Sequence, residues 1–358
     1  MKRIDWYIIK KFLSTFFLAI ALILLIVIVF DVSEKIDDFI QEKAPLDEIL
    51  FDYYLNFIPF FVNMFSPLFT FIAVVFFTGK MAFNSEIIAI LSSGISFRRM
   101  LFPFLLSAFF LSLMTFYLAN FVIPVANENR LAFEMKYIYG SGEKKERNIH
   151  LQTSENDYVY VQRFNQKDNT GFRFTHEQFD DQGLVYKLTS EYIRWDSLEN
   201  NWILENYTKR YMDGNTERLI HGQHTDTTMI LVPEDFTHQV KRVEVLNYFE
   251  LREFIKEEEQ KGSGNISVYK VEKHQRNAFP FATVVFTIIG VSLSSRKVRG
   301  GIGLHLAAGI TISFAFILFM QISTTFAIKS DLQPWLAVWL PNFAFTVVGL
   351  LLIRLAPK

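Results

Sequence analysis

Few residues of this 358-residue chain stand where catalysis or metal binding would need them. His221 and His224 share a strand-like stretch, but no third ligand lies at a spacing that would complete a metal site. Cysteine is absent, so disulfides, thiolate metal sites and cysteine nucleophiles are excluded, and nothing calls for a cofactor. No Gly-x-x-x-x-Gly-Lys-Ser/Thr segment occurs, and no glycine fingerprint opens a helix after a strand. The chain therefore does not hydrolyse ATP by that route. Ser, Asp and His are all present in the polar middle, but no nucleophile-elbow pattern unites them. Asn206-Tyr207-Thr208 and Asn265-Ile266-Ser267 match the glycosylation pattern, which carries weight only in a eukaryotic cell. An enzyme has no positive support.

What remains are cations beside apolar runs and one short apolar loop. Lys35, Arg130 and Lys136 each follow such a run. They could clamp an anionic headgroup through charge-assisted hydrogen bonds, or they could be solvated loop charges. His305 lies early in another run, where an ionisable group is a functional hypothesis by default, although snorkelling to the interface also accounts for it. The loop from about 84 to 100 holds Ile87, Ile88, Ile90, Leu91 and Ile95. There Ser85 can cap a helix, Glu86 suits its positive end, and Gly94 supplies the stop. Such a helix could float in the membrane interface or dock in a groove on a soluble partner. Both readings stand.

These residues need elements to hold them, and the charge distribution shows which. Only 20% of the chain is charged, and 47 of the 73 charges fall within residues 128–276. The remainder is too apolar for a water-soluble globule. Stretches free of Asp, Glu, Lys and Arg run for 19 residues after Lys11, 27 after Asp52, 28 after Arg99, 19 after Arg276, 29 after Arg299 and 22 after Asp331. A spanning helix needs about 20 apolar residues, so all six qualify. The first exceeds a signal-peptide core and lacks a small-x-small cleavage site, which argues against its removal. With the N-terminus inside, the inner segments hold twelve Lys and Arg, from Lys2 to Lys358, and the short outer loops only Lys35, Lys43 and Lys329. The positive-inside rule then places both termini in the cytoplasm and the polar middle outside. A net charge of −1 argues against nucleic acid as a partner.

The polar middle reads as β structure. Residues 159–164, 172–179, 184–195 and 202–212 alternate or mix aromatic and β-branched residues with polar ones. Turn clusters at Asn169-Thr170-Gly171, Asp180-Asp181-Gln182-Gly183 and Asp213-Gly214-Asn215 separate them. Tyr248, Leu251, Phe254 and Ile255 then form a helical face, ended by Gly262-Ser263-Gly264, and a second amphipathic piece follows over 268–276. The fold class is a helical membrane protein with an all-β insert. Its parts are three spans in 1–127, with the cytoplasmic helix at about 84–100, a jellyroll-like β domain in 128–245, a helical connector in 246–276 and three spans in 277–358.

Four stretches, in this order, resemble one family. They are Ile4-Asp5-Trp6-Tyr7-Ile8 with Phe12; Glu86-Ile87-Ile88-Ala89-Ile90 with Ser93-Gly94-Ile95-Ser96; Tyr269, Glu272, His274, Arg276 and Pro280 with Gly290; and Trp339-Leu340-Pro341-Asn342. Together with the topology they are similar to the LptF/LptG permeases of the bacterial lipopolysaccharide exporter, over the whole chain. The resemblance implies an ABC transporter arm in the inner membrane of a Gram-negative cell, with its β-jellyroll in the periplasm. It implies a second homologous arm, a cytoplasmic ATPase dimer docked on Glu86, Ile87, Ile90, Leu91 and Gly94, and periplasmic jellyroll bridge proteins leading to the outer membrane. The substrate would be lipopolysaccharide, its headgroup met by Lys35, Arg130, Lys136 and His305. Lys35-Ile36-Asp37 looks more like the G-type arm, and His305 matches some G-type members in part. A mechanotransducing permease would put its external domain between spans one and two of four. An ATP-independent lipid transporter would bury carboxylates within spans, and none of the six uncharged stretches holds one.

Overall fold

The computed structural model describes residues 2–138, 146–154, 156–165, 168–180, 183–197, 199–213, 216–227, 229, 231–236, 243–260, 265–298, 301–330 and 332–356. The turn clusters expected around 181–182, 214–215 and 262–264 lie outside these residues. The chain divides into two units, Met1–Ile138 with Lys270–Lys358, and Tyr139–Tyr269.

Among the described residues six helices are long and apolar enough to cross a membrane, all in the first unit apart from the opening residues of α6: α1 (Arg3–Gln41), α2 (Leu46–Phe83), α4 (Phe97–Tyr137), α6 (Ile266–Ser294), α7 (Gly301–Lys329) and α8 (Pro334–Leu355). A seven-residue helix, α3 (Glu86–Ser92), joins α2 to α4. At 1.5 Å per residue α1 is about 58 Å long, roughly twice a bilayer's hydrocarbon thickness. Helices α1 and α4 outrun their uncharged stretches. Opposite charges at i and i+4, Asp31–Lys35 on α1 and Arg130–Glu134 on α4, support the helix where apolar residues end. Lys35, Arg130 and Lys136 therefore ride on helices and not in loops.

α2 sits at the centre. Ala73, Val74, Phe77 and Met81 pack with Ile8, Phe12 and Phe16 of α1 and Met100, Leu101 and Phe104 of α4. Phe71 and Val75 turn the other way, to Ala282, Val285, Phe286 and Ile289 of α6 and to Phe316 of α7. Gly290 lets α2 and α6 close up, since a Cβ there would lie 2.8 Å from Val74 Cγ1 and 3.0 Å from Phe71 Cδ2. Pro341 inside α8 has no N–H for the carbonyl of Ala337. Buried Ser323 Oγ of α7 donates to that carbonyl instead, at 2.6 Å. Next to it, fully buried Asn342 donates through Nδ2 to the Ala278 carbonyl of α6 at 3.2 Å. The Trp339–Asn342 stretch thus ties the last helix to its neighbours through polar groups that only tertiary contact supplies.

The described residues of the second unit form an antiparallel sheet in sequence order, β1 (Glu146–Ser154), β2 (Asp157–Asn165), β3 (Thr170–Asp180), β4 (Gly183–Asp196), β5 (Asn201–Asp213) and β6 (Thr216–Thr227). Six strands inserted between two sets of three long helices agree with the jellyroll-like all-β expectation, here as a meander with sequential neighbours. Gly171, expected in a turn, lies inside β3, where a Cβ would come within 2.6 Å of Ile193 Cγ2. Pairing skips one row that crosses every strand: Asn148, Gln162, Arg173, Glu191, Asn206 and Gln223. Arg173 and Asn206 in this row have φ of 52° and 50°. The alternation of buried residues slips by one at the same place, from Val161 to Phe164, from Gly171 to Phe174, from Ser190 to Ile193 and from Leu204 to Tyr207. A slip of one residue would otherwise turn the apolar face outward. The interrupted row compensates, as bulges do, so one face stays apolar on both sides of it.

That face buries Val161, Phe164, Phe174, Leu188, Ile193, Trp202 and Leu204 against Leu231 and Phe236. Beyond the sheet, α5 (Tyr248–Gln260) is capped by Asn247, whose Oδ1 accepts from Phe249 N and Glu250 N. Its Leu251 and Ile255 are buried with Val243 and Tyr269.

Candidate functional site

Sequence-nominated residues gather at the two opposite ends of α2. At one end is α3. Ser85 does not cap it as expected: its φ is 63° and its side chain makes no cap bond, because the sharp exit from α2 needs a left-handed residue there. Gly94, at φ 84°, is the stop, its N–H donating to Leu91 O at 3.0 Å. Ser96, not Ser85, receives a backbone N–H, that of Arg99 at 3.4 Å at the start of α4.

The faces of α3 are unequal. Ile87 is buried in the bundle core, and Ile90 and Leu91 pack partly against it. Ile88 is 56% exposed, alongside exposed Ala89, Ser92 and Gly94. A partner would meet the Ile88 side, while Ile87 faces away from it. Glu86 accepts from Tyr7 OH of α1 at 3.1 Å and from Asn84 Nδ2 at 3.3 Å. Behind α3, Arg99 makes two bonds of 2.8 and 2.7 Å to Asp5, a fully buried carboxylate that also accepts from Lys2 N. Lys297, after α6, reaches Ser85 Oγ at 3.4 Å. α3 is thus gripped by α1, α4 and the segment after α6, with one small apolar face left open.

His305 belongs to this same end. It is buried, bonded through Nε2 to the Arg296 carbonyl at 3.0 Å, and packed over Gly79 of α2. About 25 residues of α2, or roughly 37 Å, separate Gly79 from the residues that meet Lys35. Being at the wrong end of the helix, His305 does not join the other three cations.

At the far end a π-helical stretch of α2, Ile49–Tyr54, brings two consecutive phenols to one carboxylate. Tyr53 OH and Tyr54 OH donate to Asp31 Oδ1 and Oδ2, each at 3.1 Å. Lys35 pairs with Asp31 Oδ1 at 2.9 Å, donates to Tyr53 OH and lies over its ring. Phe39, Phe57, Phe133 and Tyr137 surround the group. Arg130 stacks over Phe60, with Nε 3.6 Å from Glu134 Oε1; that nitrogen has no hydrogen-bond partner. Lys136 pairs with Glu48 at 2.9 Å and is well exposed. Lys35 lies over a ring of this aromatic cluster and Arg130 over Phe60, which touches Phe61 at the cluster's margin, and all three cations already face a carboxylate. The i, i+4 spacing of Asp31 and Glu134 was a visible signal for two of these pairs. Tyr53, Tyr54, Glu48, Asp5, Tyr7 and Lys297 reach their partners only through tertiary contact.

Among the described residues no group of three or more His, Asp or Glu could hold a metal ion. Thr208 Oγ1 bonds His221 Nδ1 at 2.8 Å, and His224 lies opposite Glu205 on β5.

The family model of the lipopolysaccharide export system permease LptF/LptG matches residues 6–355. Comparison with curated proteins gives no match. Six spanning-length apolar helices and an inserted β domain fit a multi-pass inner-membrane subunit of that export complex. The match covers every element that carries the two ends of α2, and the chain belongs to the LptF/LptG family of lipopolysaccharide export permeases.

Proposed function

We propose that this chain is one arm, of the G type, of an ABC exporter that extracts lipopolysaccharide from the inner membrane. ATP hydrolysis comes from a separate cytoplasmic ATPase dimer docked on α3, and a second homologous arm completes the cavity. The β unit lies in the periplasm and passes the substrate to further jellyroll proteins leading to the outer membrane. Lys35, Arg130 and Lys136 meet the headgroup phosphates, while apolar helix faces take the acyl chains. Glu86 meets a basic or capping group on the ATPase.

The observation that carries this reading is the construction of α3. A seven-residue helix held on three sides, with Ile88 exposed on the fourth, suits transmission of force from a soluble partner. An interfacial float would need no such grip. Ile88→Asp is expected to reduce co-purification of the ATPase by about thirtyfold, the size of a single hot-spot loss of about 2 kcal/mol, without lowering the thermal stability of the permease. Undiminished co-purification would mean that α3 floats in the membrane surface.

Orientation has its own test. A reporter active only in the periplasm, fused in the β4–β5 turn at Asn200, is expected to be active, and one fused at Gly94 inactive. The reverse pattern would put the β unit in the cytoplasm.

A further inference from the structure

Lys35 poses a physical problem for any headgroup site built on it. Its ammonium is occupied by Asp31 Oδ1 at 2.9 Å and by Tyr53 OH, and its side chain is 21% exposed. An arriving phosphate finds at most one of the three ammonium N–H groups unspent, and to hold the cation fully it must take it from a carboxylate. The surroundings of Asp31 make that exchange feasible. Buried Tyr53 and Tyr54 each donate to one of its oxygens. When Lys35 leaves, Asp31 keeps two phenol donors and is not stranded as a bare buried charge, the usual penalty for breaking such a pair. Two donors from consecutive residues reach one carboxylate because the helix is π-wound there.

We propose that Asp31, held by Tyr53 and Tyr54, is a built-in stand-in for the phosphate, sheathing Lys35 when the arm is empty and reclaiming it when substrate departs. This rests on the headgroup reading of Lys35 given above. Asp31, Tyr53 and Tyr54 are positioning residues for transport and touch no substrate. Arg130 shows a looser version of the arrangement. Its Nε lies 3.6 Å from Glu134, beyond hydrogen-bond range, and bonds to nothing else. Lys35 is the closely paired cation and Arg130 the loosely paired one, both with largely buried side chains.

The consequence is quantitative. When only a fraction of Lys35 is free, the apparent affinity for an anion falls by that fraction. A carrier gains from this, since a site must bind well enough to load and weakly enough to release. Removing the stand-in should therefore tighten binding and slow export. Removing a phenol should do the opposite, because Asp31 then leans harder on Lys35.

The test uses the full chain in lipid nanodiscs with the partners that co-purify, and measures binding of lipopolysaccharide and of its enzymatically dephosphorylated form. Asp31→Asn is expected to bind the phosphorylated form about tenfold more tightly, with no change for the dephosphorylated form, and to export it more slowly per complex. Tyr54→Phe is expected to bind the phosphorylated form severalfold more weakly, and gives the sign independently should Asp31→Asn fail to fold. A merely structural ion pair would move both forms together. Unchanged or weakened binding in Asp31→Asn, alongside weakened binding in Lys35→Gln, overturns the stand-in and leaves the headgroup reading intact. Unchanged binding in Lys35→Gln removes both.

Discussion

Gly290→Leu is expected to leave little folded permease. A Cβ alone at this position would lie 2.8 Å from Val74 Cγ1 and 3.0 and 3.1 Å from the Phe71 ring, and both residues are fully buried. The Phe71 ring is itself stacked on Phe286 with centroids 5.1 Å apart, so it has little room to yield. Overpacking a filled core typically costs about 1–3 kcal/mol, and a leucine adds three carbons beyond the Cβ that already collides. The change should separate α2 from α6, which together with the α2–α7 contact joins the two sets of three spanning helices. Small residues at such crossings are how helices approach closely in lipid, where apolar surface alone gives no preference for protein over lipid. The measurement is thermal unfolding of the detergent-extracted protein, with Gly303→Ala as control. No atom lies within 4 Å of the Cβ site at Gly303, and the control should be neutral or slightly stabilising by helix propensity. Equal melting temperatures for Gly290→Leu and the native chain would show that α2 and α6 do not pack as described.

Trp202→Ala should have the largest effect in the β unit. The side chain is completely buried, with ring centroids 5.0 Å from Trp195 and 5.4 Å from Phe236. Its Nε1 donates to the Leu231 carbonyl at 2.7 Å, fastening the segment that covers the apolar face of the sheet. Truncating a buried tryptophan costs about 3–5 kcal/mol, a large part of the roughly 5–15 kcal/mol that holds a domain together. Trp202→Phe refills most of the volume but orphans the Leu231 carbonyl, which costs about 1–3 kcal/mol. Limited proteolysis of the full chain should cut the β unit fastest in Trp202→Ala, more slowly in Trp202→Phe and slowest in the native protein. Indistinguishable cleavage of Trp202→Ala and the native chain would contradict this packing.

The spans were legible because charge is so costly in lipid that its absence over some 20 residues marks a helix without any knowledge of packing. Strands β2 to β5 were legible from alternation broken by turn residues. Their neighbours were less so: β1 and β6 carry fewer large apolar residues, and Gly171 reads as a turn until Ile193 is seen to need its missing side chain. The extension of α4 to Tyr137 escaped the sequence because pairs such as Arg130–Glu134, and packing of Phe133 on Tyr53, keep the helix going after the apolar run ends. The cations of the candidate site were visible as residue types. Their partners were not, since Tyr53 and Tyr54 reach Asp31 across two helices, and only through a local winding that no periodicity rule anticipates. His305 was grouped with the other cations by residue type, although the same topology that puts Lys35 at an outer end starts the fifth span at the inner one.

The interrupted row through Asn148, Gln162, Arg173, Glu191, Asn206 and Gln223 makes the sheet two plates joined along a seam. Elsewhere the strands pair continuously apart from local bulges at Gln152/Ser154 and Gln178/Phe179, and bending them would strain many bonds at once. Along the seam the backbone pairing is skipped on all six strands at the same level, and a side-chain bond from Asn206 Nδ2 to Glu191 Oε2 at 2.9 Å links β5 to β4 across it, so flexure there breaks no ladder pairing. Stiffness is thereby distributed unevenly: rigid along each plate, compliant about one transverse line. A sheet made this way can change the angle between its two plates as a book changes the angle between its covers, while each page keeps its own print in register.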